Sequence, residues 1–159
     1  MDIDLIWEKP RELKITKDSV VLVDGFEDLP LRGGVYVFTR CYGKKTVPLY
    51  IGKGIGLRAR IKQQFNNHKL MLSVKNSGKG PKFLMIGYPN LKSGQDLEKV
   101  VDIIERGLIE HAVSAGHEII NKQGTRLQLH KVSLTGSTKC RDWIDNRLYV
   151  PKSKKLPQT

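Results

Sequence analysis

The chain is short of acidic residues, of cysteine and of long apolar runs, and each shortage excludes a class of function. Lys and Arg number 28 against 16 Asp and Glu, which leaves a formal charge of +12 on 159 residues and a pI near 9.8. Such a balance draws a protein to polyanions, of which nucleic acid is the commonest. An anionic membrane is the weaker expectation, because no Lys-rich amphipathic helix with aromatic anchors is evident. The two cysteines, Cys41 and Cys140, stand far apart without metal-type neighbours, so a disulfide framework is excluded and a reducing compartment is implied. No apolar stretch reaches membrane-spanning length. The opening residues Met1 to Trp7 are acidic, unlike the apolar centre of a secretory signal. The expected location is the cytoplasm, with no membrane partner.

Other chemistry is also missing. The Gly52 to Gly56 run lacks the Gly-Lys-Ser/Thr ending of a nucleotide-binding loop. His68 and His117 have no metal-ligand partner at regular spacing, and neither cysteine has a His or acid placed to activate it. What remains is a chain of single-domain length with 39% hydrophobic residues, enough for one modest core.

Local patterns predict strands alternating with helices. Ser19–Val23, Gly34–Thr39, Val47–Ile51 and Lys82–Tyr88 read as strands rich in β-branched and aromatic residues. Gly43, Lys44 and Lys45 suit a turn within Thr39–Thr46, and Pro89-Asn90 should stop the last of these strands. Leu57, Ile61 and Phe65 recur every four residues and predict a helix to about Asn66. A second helix should run from Asp96 to Ala115, capped by Ser93 or Asp96 and ended by Gly116. Asn67–Lys82 reads as a polar loop, its Lys69–Lys82 part either a phosphate-contacting arm or a solvated flexible loop, Leu127–Val132 as a late strand, and Ser137–Leu148 as a short final helix. Residues 150–159, with Pro151 and Pro157, read as a disordered tail, and Met1–Lys17 carries no clear pattern. The expected fold is α/β (α+β), with a small mixed or antiparallel three-stranded central sheet flanked by helices.

Two features stand out chemically. At 100° per residue from Leu97, Val101, Leu108, Ile109 and Ala112 form one stripe, and Glu105 falls inside it at about 80°. A carboxylate facing a core is costly unless paired or bound to a cation, although a stripe-edge Glu can also snorkel to water. On the earlier helix, Arg58 and Arg60 border opposite edges of the apolar stripe, and either could turn towards the sheet. Tyr36 and Tyr50 lie on the paired strands. A Tyr there is ordinarily a packing residue, but an antiparallel pairing would bring both phenols near one end of the sheet.

The segments Gly34-Val35-Tyr36 and Tyr50-Ile51-Gly52, followed by Arg60, Glu105 and Asn121, resemble the GIY-YIG nuclease family over roughly residues 33–121. The resemblance implies a metal-dependent endonuclease, restriction-like, structure-specific or in DNA repair. It assigns Glu105 to a Mg2+ (or Mn2+) ion and Arg60, ten residues after Tyr50, to the phosphate. It makes Tyr36 and Tyr50 candidates for deprotonating water, with Tyr36 favoured as the base. Asn121 would support the site by hydrogen bonds, as Gly34 does by its place in the motif. Gly52, Lys53, Arg58 and Lys62 would contact nucleic acid, Lys53 matching a basic residue of repair members. DNA is the expected partner, RNA stays open, and a homodimer would allow both strands to be cut. The alternative is a non-catalytic nucleic-acid-binding module that keeps the same fold.

Overall fold

The computed structural model describes residues 1–121, 129–143 and 146–151. Among them are eight strands and four helices, an α+β arrangement in which every strand pairing is antiparallel. The strands are β1 (Asp4–Trp7), β2 (Arg11–Ile15), β3 (Val20–Leu22), β4 (Gly34–Tyr42), β5 (Lys45–Gly54), β6 (Lys82–Asn90), β7 (Leu129–Ser133) and β8 (Arg147–Pro151). The helices are α1 (Leu57–Phe65), α2 (His68–Lys75), α3 (Leu97–Ser114) and α4 (Thr138–Arg141).

The main sheet has six strands rather than three. The expected trio forms its middle and one margin, in the order β6-β4-β5, and β2 and β3 extend it on the far side of β6. β1 lies end to end with β2 along that same side of β6, pairing with Gly87–Asn90 while β2 pairs with Lys82–Leu84. The N-terminal segment thus supplies strands that its mixed composition concealed. It also explains why Pro89 does not stop β6. β4 pairs only as far as Gly87, so beyond it β6 has β1 alone beside it, and a residue without an N–H is tolerated at such an edge.

The β4–β5 hairpin is tighter than the expected loop. Only Gly43 and Lys44 connect the strands, and Gly43 has φ 59°, the left-handed backbone that a two-residue hairpin turn needs at its first position. Down the hairpin, Phe38 pairs with Tyr50 but Thr39 pairs with Pro48, leaving Leu49 as an extra residue in a β-bulge.

Two apolar layers hold the sheet. On one face Tyr36, Phe38, Leu84 and Ile86 pack with Leu57 and Ile61 of α1 and Leu70, Met71 and Val74 of α2. Leu57 and Ile61 are wholly buried, each worth about 1.5–3 kcal/mol by removal of its apolar surface from water. On the opposite face Val37 and Ile51 meet Ile109, Ala112 and Val113 of α3. α3 begins as expected, with the Asp96 carboxylate accepting from the Lys99 N–H, a cap worth about 1 kcal/mol. It ends in a Schellman arrangement, with Gly116 N–H donating to Val113 O and His117 N–H to Ala112 O.

The segment expected as a polar loop after Asn67 contains α2 instead, capped by the Asn67 side chain, which accepts from Leu70 N–H. Late in the chain, α4 covers only Thr138–Arg141, and the stretch expected as helix continues into β8, which pairs with β7. Val150 and Pro151, expected in a disordered tail, belong to β8. Leu127 and residues 152–159 lie outside the described residues. No helix among the described residues is long and apolar enough to cross a membrane.

Candidate active site

β5 is the outer strand of the sheet, and a cavity of about 820 Å3 wraps around it. Strand alternation sends Tyr50 and Gly52 to the α1 face and Lys53 to the α3 face. The walls accordingly come from both layers: Arg60 of α1, Asn67, Lys69 and Ser73 around α2, and Asp102, Glu105 and Arg106 of α3. Because no strand among the described residues lies beyond β5, side chains from its two faces reach one cavity. Asn121 closes the outer side of β5 just before that space. Its Oδ1 accepts from Ile51 N–H at 2.9 Å and its Nδ2 donates to Ile51 O at 2.6 Å, while Ile120 N–H donates to Leu49 O. One side chain here does what a seventh strand would do.

The two phenols are neighbours, with ring centroids 6.3 Å apart and planes inclined at 27°. Their environments differ. Tyr36 is fully buried and does not line the cavity, whereas Tyr50 is half-buried and does. Burial pushes the Tyr36 hydroxyl up to about 12, against smaller lowering effects from the Gln64 hydrogen bond and the Arg60 charge. A phenol held there surrenders its proton reluctantly, which argues physically against the preference for Tyr36 as the base. Gln64, a buried residue of α1 that no sequence pattern singles out, joins the pair: its Nε2 lies 2.6 Å from Tyr36 Oη and 3.3 Å from Tyr50 Oη.

Glu105 sits where helical geometry put it, on the sheet-facing side of α3 but at the cavity wall, with its side chain 20% exposed. Burial raises its carboxyl above the ordinary range, and Lys53 and Arg60 act in the opposite sense. Lys53 Nζ stands 3.5 Å from Glu105 Oε2 and makes an ion pair with Asp102. That pair holds the Asp102 carboxyl below its usual value, and the same hydrogen bond raises Lys53. Asp102 also pairs with Arg106 at 3.0 Å. No sequence pattern marks Asp102, although its position three residues before Glu105 places it on a neighbouring stretch of the same helix surface.

Arg60 is exposed, lines the cavity and donates to Gln63 Oε1 at 3.2 Å. Gly54 gives it room, since a β-carbon at that position would stand 2.8 Å from Arg60 Cβ. Arg58 turns the other way. Its Nε donates to Leu29 O at 2.9 Å and its Nη2 to Glu27 O, so it ties the loop before β4 to α1 and is not among the cavity's lining residues. Lys62 is exposed, with its ammonium 5.9 Å from the Phe26 ring centroid, away from the cavity lining. Gly34 is a packing requirement, because a β-carbon there would overlap Gly87 O and reach 2.9 Å from Leu57 Cδ1.

Tyr50, Gly52, Lys53, Arg60, Glu105 and Asn121 therefore converge; Tyr36 stands one layer behind, and Arg58 and Lys62 face elsewhere. Among the described residues no three His, Cys, Asp or Glu side chains gather as a ready-made metal cage. No protein-family model, curated protein or solved structure matches the chain.

Proposed function

We propose that the chain is a metal-dependent endonuclease of GIY-YIG-like build that hydrolyses phosphodiester bonds in DNA. One observation carries the reading: a phenol, a guanidinium, an ammonium and a partly buried carboxylate line a single cavity at the outer strand of the sheet. These are the groups needed to orient water, hold a phosphate and anchor a hard cation.

Tyr50 takes the role nearest the attacking water, since its oxygen is the phenol at the cavity wall. Tyr36 backs it through ring contact and their common partner Gln64. Water attacks phosphorus in line and the P–O3′ bond breaks, leaving 5′-phosphate and 3′-hydroxyl ends. The guanidinium of Arg60 grips the phosphate oxygens as charge accumulates on them. Lys53 sits opposite, bridging the two carboxylates until substrate offers it a phosphate.

The donor set fits Mg2+ or Mn2+. Glu105 presents a desolvated carboxylate to the cavity, Asp102 lies beside it, and such ions bind through one or two carboxylates while keeping several waters. When bound, the cation supplies positive charge at the scissile phosphate and the departing oxygen.

A plasmid-nicking assay with and without Mg2+, run beside Glu105→Ala and Arg60→Ala, tests the proposal. Cleavage that needs the cation and both side chains supports it. A wild type that binds DNA tightly yet cuts no duplex, branched or single-stranded substrate, nor the matched RNA, would instead be a nucleic-acid-binding module.

A further inference from the structure

Gln64 is an uncharged residue 5% exposed, with a single amide nitrogen directed at two hydroxyls. A primary amide nitrogen carries two hydrogens in a fixed fork. With Nε2 lying 2.6 Å from Tyr36 Oη and 3.3 Å from Tyr50 Oη, each hydrogen serves one phenol. We propose that Gln64 is a positioning residue that yokes the two phenols and leaves the Tyr50 hydroxyl hydrogen directed at the cavity. This deepens the nuclease reading and rests on it for its catalytic consequence.

Hydrogen-bond capacity governs the arrangement. A phenol oxygen has one hydrogen to give and lone pairs to accept with. Once Tyr50 accepts from Gln64, its own hydrogen must find a partner elsewhere, and the space beside it is the cavity. Tyr36 is held on every side: its ring contacts Phe38 edge-on, stacks with Tyr50 and lies over Gly52. It therefore fixes where Gln64 points, and Gln64 in turn fixes Tyr50. The charged neighbour that acts on Tyr36 across this arrangement is Arg60, from the same helix as Gln64.

The test is made first without nucleic acid. With tyrosine labelled at the ζ carbon, the chemical shift reports hydrogen bonding at each phenol oxygen. In Gln64→Met, which keeps the length and removes the donors, the Tyr36 and Tyr50 signals should both move while Tyr42 and Tyr88 stay. Gln64→Asn, whose amide falls short of the phenols, should do the same and serves if the Met variant does not fold. In otherwise native protein, Tyr50→Phe should shift one of the two Gln64 amide protons. In nicking assays the Gln64 variants should lose about tenfold in kcat with KM within about twofold. A Tyr50 signal unmoved by either Gln64 variant, or Gln64 amide protons indifferent to Tyr50→Phe, overturns the yoke. A wild type that cleaves nothing while both phenol signals move sinks the nuclease reading and leaves the yoke standing.

Discussion

The Tyr36 ring lies across the α-carbon of Gly52, its partner on the adjacent strand, so closely that a β-carbon at position 52 would overlap both Cζ and Oη and stand 2.8 Å from Cε2. Glycine at 52 is thus a condition for placing one phenol behind the other. Gly52→Ala should cost about 1–3 kcal/mol by urea denaturation, as overpacking of a buried ring does. Adding Tyr36→Phe should not relieve it, because ring carbons collide as well as the hydroxyl. Adding Tyr36→Val should, so the Val double mutant should be more stable than the sum of its single costs implies.

Asn121 offers a test of the strand margin. Replacing it by leucine strips the Ile51 N–H and C=O of their partners in a buried setting, a loss of about 2–4 kcal/mol for two unsatisfied groups. Hydrogen exchange at the Ile51 amide should accelerate more than at Val37. Unchanged protection at Ile51 would show that the clasp does not govern β5.

Arg58 and Arg60, two residues apart on α1, should separate stability from activity. Arg58→Met removes donors to Leu29 O and Glu27 O and should cost about 1–3 kcal/mol, with activity retained at temperatures where the protein is folded. Arg60→Met should shift stability by no more than about 0.5 kcal/mol yet reduce nicking by about a hundredfold or more. Thermal melts and turnover on the same preparations decide it. Equal losses in both assays for both variants would refute the division.

Glu105 makes a pH-dependent prediction. Burial raises its folded-state carboxyl, so the folded protein binds the proton more tightly than the unfolded chain. Stability is then lost as pH climbs through the carboxylate range. Glu105→Gln removes that penalty. The variant's advantage over wild type should be near nil at pH 4 and grow towards pH 7, while cleavage is abolished. Asp102 has the opposite sign: Lys53 depresses it, so the stability it confers is present at neutral pH and fades on acidification. Paired denaturation series at both pH values for Glu105→Gln and Asp102→Asn would expose either error.

Sequence patterns carried the centre of the fold further than its margins. α3 was legible because Asp96, the apolar stripe and Gly116 all agree, and the same periodicity exposed Glu105. The Tyr36 and Tyr50 strands were legible from their β-branched and aromatic runs. α2 was not, because Leu70, Met71 and Val74 occupy barely two turns between Asn67 and a stretch rich in Lys, Gly and Ser. β1 and β2 were hidden because strands lying end to end along one neighbour need no long alternating pattern. Asp102 and Gln64 escaped for a common reason: each reads as an ordinary polar residue on a helix, and only the packing of helix against sheet shows what it touches.

The catalytic candidates on β5, three residues apart, point to opposite sides of one ribbon, Tyr50 to one and Lys53 to the other. Deleting Ile51 would therefore turn the ammonium to the phenol's side without removing either, whereas deleting Leu49, the bulged residue, would leave both pairings as they are. Lengthening the exposed Gly43–Lys44 tip should leave both where they are. A scan of deletions and insertions along the hairpin should thus find tolerance at its tip and abrupt inactivation only a few residues away, in proteins that still contain every candidate side chain.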